Sequence, residues 1–172
     1  MSATTHVALV PYRSIVDALL ILVRDNHVLL AQRQGTGYAD GAWNLPSGKL
    51  EDGETVLRAA QREGLEEIGI HTTERDLKFV HLIHYRNHLG DARIGVFFRV
   101  LDWQGEPYNA EPHKCSQIRW WPVDRLPVGT YPYTAEGVRA YKRGESFSMV
   151  GWLADEVVDA GLGPSVGSCQ AD

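Results

Sequence analysis

The chain reads as an α+β member of the broad α/β class, with several short strands and two helices packed on them. Two observations predict this. Apolar and β-branched runs of strand length recur through residues 15–123, several of them alternating with polar positions, which is the period of a half-buried strand. Two other stretches, opening at Thr55 and Thr134, place their apolar residues at helical spacing. With 172 residues and 44% apolar content, one sizeable core can be buried, so a single domain over residues 1–152 is expected.

Residues 15–24 are aliphatic and β-branched apart from Asp17, Asp25-Asn26 offers a turn, and residues 28–32 resume the apolar run. This predicts a hairpin. Residues 35–41 hold three glycines and an aspartate without periodicity and read as a loop. The loop leads into Trp43-Asn44-Leu45-Pro46, which its proline restricts to a sheet edge or strand end.

From Thr55 the period changes. Leu57, Ala60, Leu65 and Ile68 can share the buried side of a helix, with Thr55 as N-cap and Gly69 as C-terminal stop. Residues 77–87 and 93–102 flank a Gly90-Asp91 turn and predict a long hairpin, whose nearly all-apolar segment 94–100 reads as a central strand. In its first arm His81, Ile83 and Tyr85 face away from Leu82, His84 and Arg86. A further strand is expected over 117–123, and a helix over 134–143 with Thr134 as N-cap, covering one face of the sheet. Beyond Trp152, glycines, a proline and polar residues predict a flexible C-terminal tail over 153–172.

The formal charge of −5 and the lack of a Lys/Arg block argue against a nucleic-acid polymer as partner. The most apolar early run, 15–23, is too short to span a membrane and is interrupted by Asp17, and no signal-peptide pattern precedes it. Cys115 and Cys169 support neither a disulfide framework nor a zinc cluster, and Cys115 reads as a small buried hydrophobe. A cytoplasmic protein with a small anionic ligand is expected. Edge strands and exposed tryptophans are compatible with a homodimer.

Glu63, Glu66 and Glu67 stand at i, i+3 and i+4, so on a helix they share one face, directed away from the apolar side. Like charges at those spacings repel by roughly 0.2–0.5 kcal/mol per pair. A bound cation would relieve that repulsion. Oxygen ligands without cysteine or histidine suit Mg²⁺ or Mn²⁺, ions that usually bridge carboxylates to substrate phosphates.

Residues 48–70 also match the pattern Gly-x5-Glu-x7-Arg-Glu-U-x-Glu-Glu-x-Gly-U, with U aliphatic, through Gly48, Glu54, Arg62, Glu63, Glu66, Glu67, Gly69 and Ile70. The segment therefore resembles the Nudix box. Gly64 departs from it, standing where an aliphatic residue belongs, and implies local repacking. Leu30-Ala31-Gln32-Arg33, the run from Tyr38 to Pro46 and the run from Glu106 to Cys115 resemble the MutT-like branch, nucleoside triphosphate diphosphatases.

The resemblance implies a Nudix-type α/β/α sandwich around a mixed β-sheet, and metal-dependent attack of water on a phosphorus of a nucleoside diphosphate derivative. By position, Glu63, Glu66 and Glu67 would ligate Mg²⁺ or Mn²⁺, with the Gly48 carbonyl and Glu111 as further ligands. Glu63 or Glu66 would activate the water, and Arg62 would hold Glu54 by a charge-assisted hydrogen bond. Arg33 and Lys114 are candidates to contact phosphate, and Tyr38, Trp43 and Tyr85 to stack on a base, although aromatics in this pattern also build cores. His81, His84 and His88 read as solvated or hydrogen-bonded. The expected substrate is a nucleoside triphosphate, modified or oxidised ones included. Dinucleoside polyphosphates, which the place of Tyr85 suits weakly, and nucleotide sugars are the alternatives. A non-catalytic nucleotide sensor is a lesser one, since such a domain would be expected to lose box carboxylates and all are present.

Overall fold

The computed structural model describes residues 12–152; the tail expected over 153–172 lies outside the described residues. In chain order the strands are β1 (Ile15–Arg24), β2 (His27–Arg33), β3 (Trp43–Asn44), β4 (Ser47–Lys49), β5 (Leu77–Arg86), β6 (Ala92–Val100), β7 (Cys115–Pro122) and β8 (Phe147–Val150). The helices are α1 (Val56–Ile68) and α2 (Pro132–Arg143), with a 3-10 turn at Glu74–Asp76. Among the described residues no helix is long and apolar enough to cross a membrane.

All eight strands join one mixed sheet whose main path is β3-β2-β1-β6-β5-β8, with β4 beside β1 and β7 beside β2. The β1/β6 and β5/β8 pairs are parallel and the others antiparallel. On one face Leu19, Ile21, Leu30, Ile83 and Phe97 pack with Val138 of α2. On the other, Ala18, Leu20, Leu22, Leu29 and Phe98 pack with Ala59, Ala60 and Ile68 of α1. This is an α/β/α sandwich. Because β1 is buried on both faces, its sequence is a near-continuous apolar run rather than an alternation.

The hairpin at Asp25-Asn26 forms with both residues in the left-handed region, φ 48° and 59°, as a two-residue type I′ turn requires. Its ladder holds only Val23↔Val28 and Arg24↔His27, because farther along β1 pairs with β4. Two expectations are corrected. Leu65 is 45% exposed rather than buried, since the stripe facing the sheet runs through Ala60, Gly64 and Ile68 at i, i+4 and i+8. Thr134 does not cap α2: the helix begins at Pro132, whose fixed φ suits a first turn, and the buried Thr134 hydroxyl bonds Asn44 and the Leu45 N–H. Strands β4 and β8 were not expected.

Thr55 caps α1 as expected, its hydroxyl accepting from the Arg58 N–H at 3.2 Å, and Gly69 ends the helix at φ 67°. A Cβ at Gly64 would lie 3.2 Å from Leu20 Cδ1 and 3.4 Å from Ile70 Cγ1. Those two side chains therefore fill the space that the missing aliphatic would have taken.

Candidate active site

The acidic face of α1 does not look onto open solvent. It crosses β4, and the closest approach is at Gly48, where a Cβ would lie 1.7 Å from Glu63 Oε1. Glu63 is buried there, Glu67 Oε2 accepts the Ser47 N–H at 2.8 Å, and only Glu66 stays exposed. The spacing puts the three glutamates on one face of the helix, and the structure adds that β4 covers Glu63 and Glu67 on that face. A helix face carrying residues i and i+4 meets a strand whose glycine lets it come close and whose N–H partly offsets the buried charge.

Burial is the main reason the Glu67 carboxyl is pushed up to about 8, with the charges of Glu63 and Glu111 adding to it and the Ser47 N–H opposing it. The Glu63 carboxyl is also raised, first by burial and then by Glu66 and Glu111, against the pull of Arg62. Two carboxylates are thus held in a place that penalises their ionised form.

Arg62 binds the group together. Its Nε and Nη2 donate to Glu54 at 3.0 Å each, Nη2 also reaches the Lys49 carbonyl at 3.1 Å, and Nη1 meets Glu63 at 2.5 Å and Glu66 at 3.3 Å. Bidentate pairing of this kind fixes geometry as well as charge. Its hydrogen bonds, that to Glu54 foremost, raise the affinity of the guanidinium for its proton.

Beside Glu67 lies a small cavity of about 100 Å³ lined by Arg33, Asn44, Glu111, Lys114 and Cys115 among others. Lys114 Nζ donates to Glu111 Oε1 at 2.7 Å. Cys115 is buried, and burial pushes its thiol up, away from nucleophilic use. Arg33 donates to the Thr36 hydroxyl and the Tyr38 carbonyl, and its side chain lines this cavity and the next.

The larger cavity, about 790 Å³, runs from Gly48 and Lys49 to a wall of tyrosines, Tyr38, Tyr85, Tyr131 and Tyr133, with Asp17, Asn44 and Arg93 between. The Tyr38 and Tyr131 hydroxyls are 2.5 Å apart, and Tyr85 reaches Tyr131 at 3.5 Å. Trp43 lines neither cavity. It is buried in the core against Trp121, ring centroids 5.3 Å apart. His81 is buried away from both cavities, its ring bonded to the Glu145 carbonyl and the Ser148 hydroxyl. Asp17, Asn44, Arg93, Tyr131 and Tyr133 were not singled out from sequence. Only Asp17, a charge inside an apolar strand, offered a signal.

The donor set fits a divalent cation. Glu63, Glu67 and Glu111 are hard oxygen donors in mutual electrostatic reach, Gly48 adjoins Glu63 where a side chain would not fit, and the raised carboxyls are what a cation would relieve. Among the described residues no three such side chains converge into a ready-made ligand group; the Arg62 guanidinium bridges Glu63 and Glu66 instead.

A family model described as NUDIX domain matches residues 11–141. An 8-oxo-dGTP diphosphatase of Proteus vulgaris is 38% identical over 92 residues, 53% of this chain and 79% of that protein. An oxidized purine nucleoside triphosphate hydrolase of Danio rerio is 32% identical over 111 residues, 63% of this chain and 67% of that protein. The crystal structure of a MutT NUDIX hydrolase from Burkholderia pseudomallei superposes with a TM-score of 0.68 at 26% identity, covering 74% of this chain and 98% of the other. The chain belongs to the NUDIX family, as a MutT-like pyrophosphohydrolase.

Proposed function

We propose that the protein hydrolyses an oxidised or otherwise modified purine nucleoside triphosphate to the nucleoside monophosphate and pyrophosphate, using Mg²⁺ or Mn²⁺. The observation that carries this reading is the larger cavity, which joins a tyrosine-lined end to Gly48 and Lys49 beside the carboxylates. A base among the tyrosines leaves its phosphates at the acidic face of α1. Relatives named for oxidised purine nucleotides support the substrate class.

In this reading Glu63, Glu66, Glu67, Glu111 and the Gly48 carbonyl hold the metal. When bound, it offsets the charge that builds on nonbridging phosphate oxygens during phosphoryl transfer. Glu63 or Glu66 takes the proton of the attacking water, a new P–O bond forms, and the anhydride P–O bond breaks to release pyrophosphate. Arg62, tied to Glu54, keeps both candidate bases in place. Arg33 and Lys114 supply positive charge at the cavity edge, and the exposed Tyr38 offers ring surface to the base, with the buried Tyr85 behind it in the cavity wall.

Product identification tests this. Oxidised and unmodified purine triphosphates, dinucleoside polyphosphates and nucleotide sugars are incubated with Mg²⁺, with and without chelator. Chelator-sensitive release of pyrophosphate with a monophosphate is expected, fastest from an oxidised purine. Orthophosphate as first product, or turnover confined to the dinucleotides or sugars, would replace the reading.

A further inference from the structure

Residues 101–114, between β6 and β7, carry Glu111 and lie along the C-terminal end of α1. The last carbonyls of a helix have no intrahelical donor. Here the Ile68 carbonyl takes the Tyr108 N–H and the Glu67 carbonyl takes the Ala110 N–H, each at 3.1 Å. Three residues beyond Ile68, His71 and Gln104 exchange both backbone bonds, at 3.0 and 2.9 Å. The segment is therefore docked on the same helical turn that bears Glu67.

Two features fix that docking. The Tyr108 ring sits over Gly69, where a Cβ would lie 2.0 Å from Tyr108 Cε1. The glycine thus serves its left-handed φ and leaves room for the ring. Farther back, Arg24 holds Glu106 at 2.8 and 3.1 Å and lies 5.5 Å from the Trp103 ring centroid and 4.9 Å from that of Trp120. After Tyr108, the Asn109 side chain donates to the Cys115 carbonyl, and the Lys114 and Cys115 N–H groups close a turn on the Glu111 carbonyl. That turn delivers the Glu111 carboxylate to the cavity it shares with Glu67.

We infer that Tyr108 is a positioning residue, whose ring, seated on Gly69, sets Glu111 against Glu67 and so tunes the affinity of the carboxylate cluster for its divalent cation. This rests on the reading of Glu67 and Glu111 as metal ligands. Tyr108 is 59% exposed, so its removal takes little from the core, and its backbone bonds survive substitution. Its hydroxyl has no hydrogen bond among the described residues, which assigns the effect to the ring.

The test is Mn²⁺ binding to the free protein by electron paramagnetic resonance, alongside the Mg²⁺ dependence of turnover, for Y108A, Y108F, E111Q and Y108A/E111Q. Y108A is expected to weaken Mn²⁺ binding about tenfold, the scale of losing a group that orients a metal ligand, while Y108F stays near wild type. In the E111Q background Y108A should add nothing, since the ligand it positions is already gone. If Y108A melts early, Y108L, which keeps apolar cover over Gly69, replaces it in the same cycle. Unchanged binding in Y108A, or an equal loss with and without Glu111, would overturn the inference. Wild-type binding in E111Q would instead overturn the metal-ligand role of Glu111, and the positioning role with it.

Discussion

Asp17 has the least expected surroundings of any side chain in the cavity wall. It lies in an apolar strand, is 5% exposed, and directs Oδ2 to the Tyr133 hydroxyl and to Arg93 Nη1, each at 3.3 Å. Burial raises its carboxyl despite Arg93, so the site costs stability unless the carboxylate is used or fully paired. Oδ1 has no hydrogen-bond partner among the described residues. A guanine-type base presents adjacent N–H donors that would meet such an oxygen, whereas an adenine-type ring nitrogen would be repelled. D17N should lower kcat/KM for a guanine-type triphosphate relative to an adenine-type one by roughly 10–100-fold, the worth of a hydrogen bond to a charged group. Competition assays with paired substrates measure the ratio, and an equal loss on both would make Asp17 architectural. Side-chain roles were only partly legible in the sequence: Tyr38, Trp43 and Tyr85 are alike as aromatics near strands, yet Trp43 and Tyr85 are both buried in the core, and of those two only Tyr85 also borders the cavity that the exposed Tyr38 lines.

Helix α1 shows how one element reconciles packing with a charged face. Its Gly64 sits in the stripe that meets the sheet, and Leu20 and Ile70 close over it. Alanine there would gain about 1 kcal/mol of helix propensity against a 3.2 Å contact with the end of a flexible leucine, so G64A should be near neutral. G64V should lose about 1–3 kcal/mol by overpacking, read as a lower urea midpoint with an unchanged slope. Equal midpoints for the two variants would mean that this contact does not constrain the helix. Caps were readable because they depend on local backbone chemistry, as Thr55 and Gly69 show. Strands β4 and β8 were not, because partners distant in sequence hold them: β4 is ordered by β1 and β8 by β5.

For the molecule as a whole, metal and stability are linked through buried carboxyls. Glu67 titrates near its ordinary 4.5 when unfolded and about 8 when folded, and Glu63 and Asp17 are shifted in the same direction. Between those values the native state holds more protons than the unfolded one, so stability falls as pH rises. Without metal, the melting temperature should decline from about pH 5 to pH 8. E67Q, which has no carboxyl to ionise, should melt at or above wild type near pH 8 while losing most activity. Mg²⁺ should stabilise wild type at pH 8, as any ligand of the native state does. Thermal melts with chelator or Mg²⁺ check all three, and a chelated wild type that gains stability toward pH 8 would show that these carboxyls do not govern the linkage. The class of chemistry was legible from the chain because the spacing of Glu63, Glu66 and Glu67 and the pattern around them are local, and helical geometry carries local spacing directly into shared position. Which carboxylate is buried, what stands opposite it and what the substrate would touch depend on chain segments far apart. Gly48 against Glu63, Tyr108 on Gly69 and Asp17 beside Tyr133 are contacts that no period or motif encodes, because they form only when the sheet brings its strands and loops together.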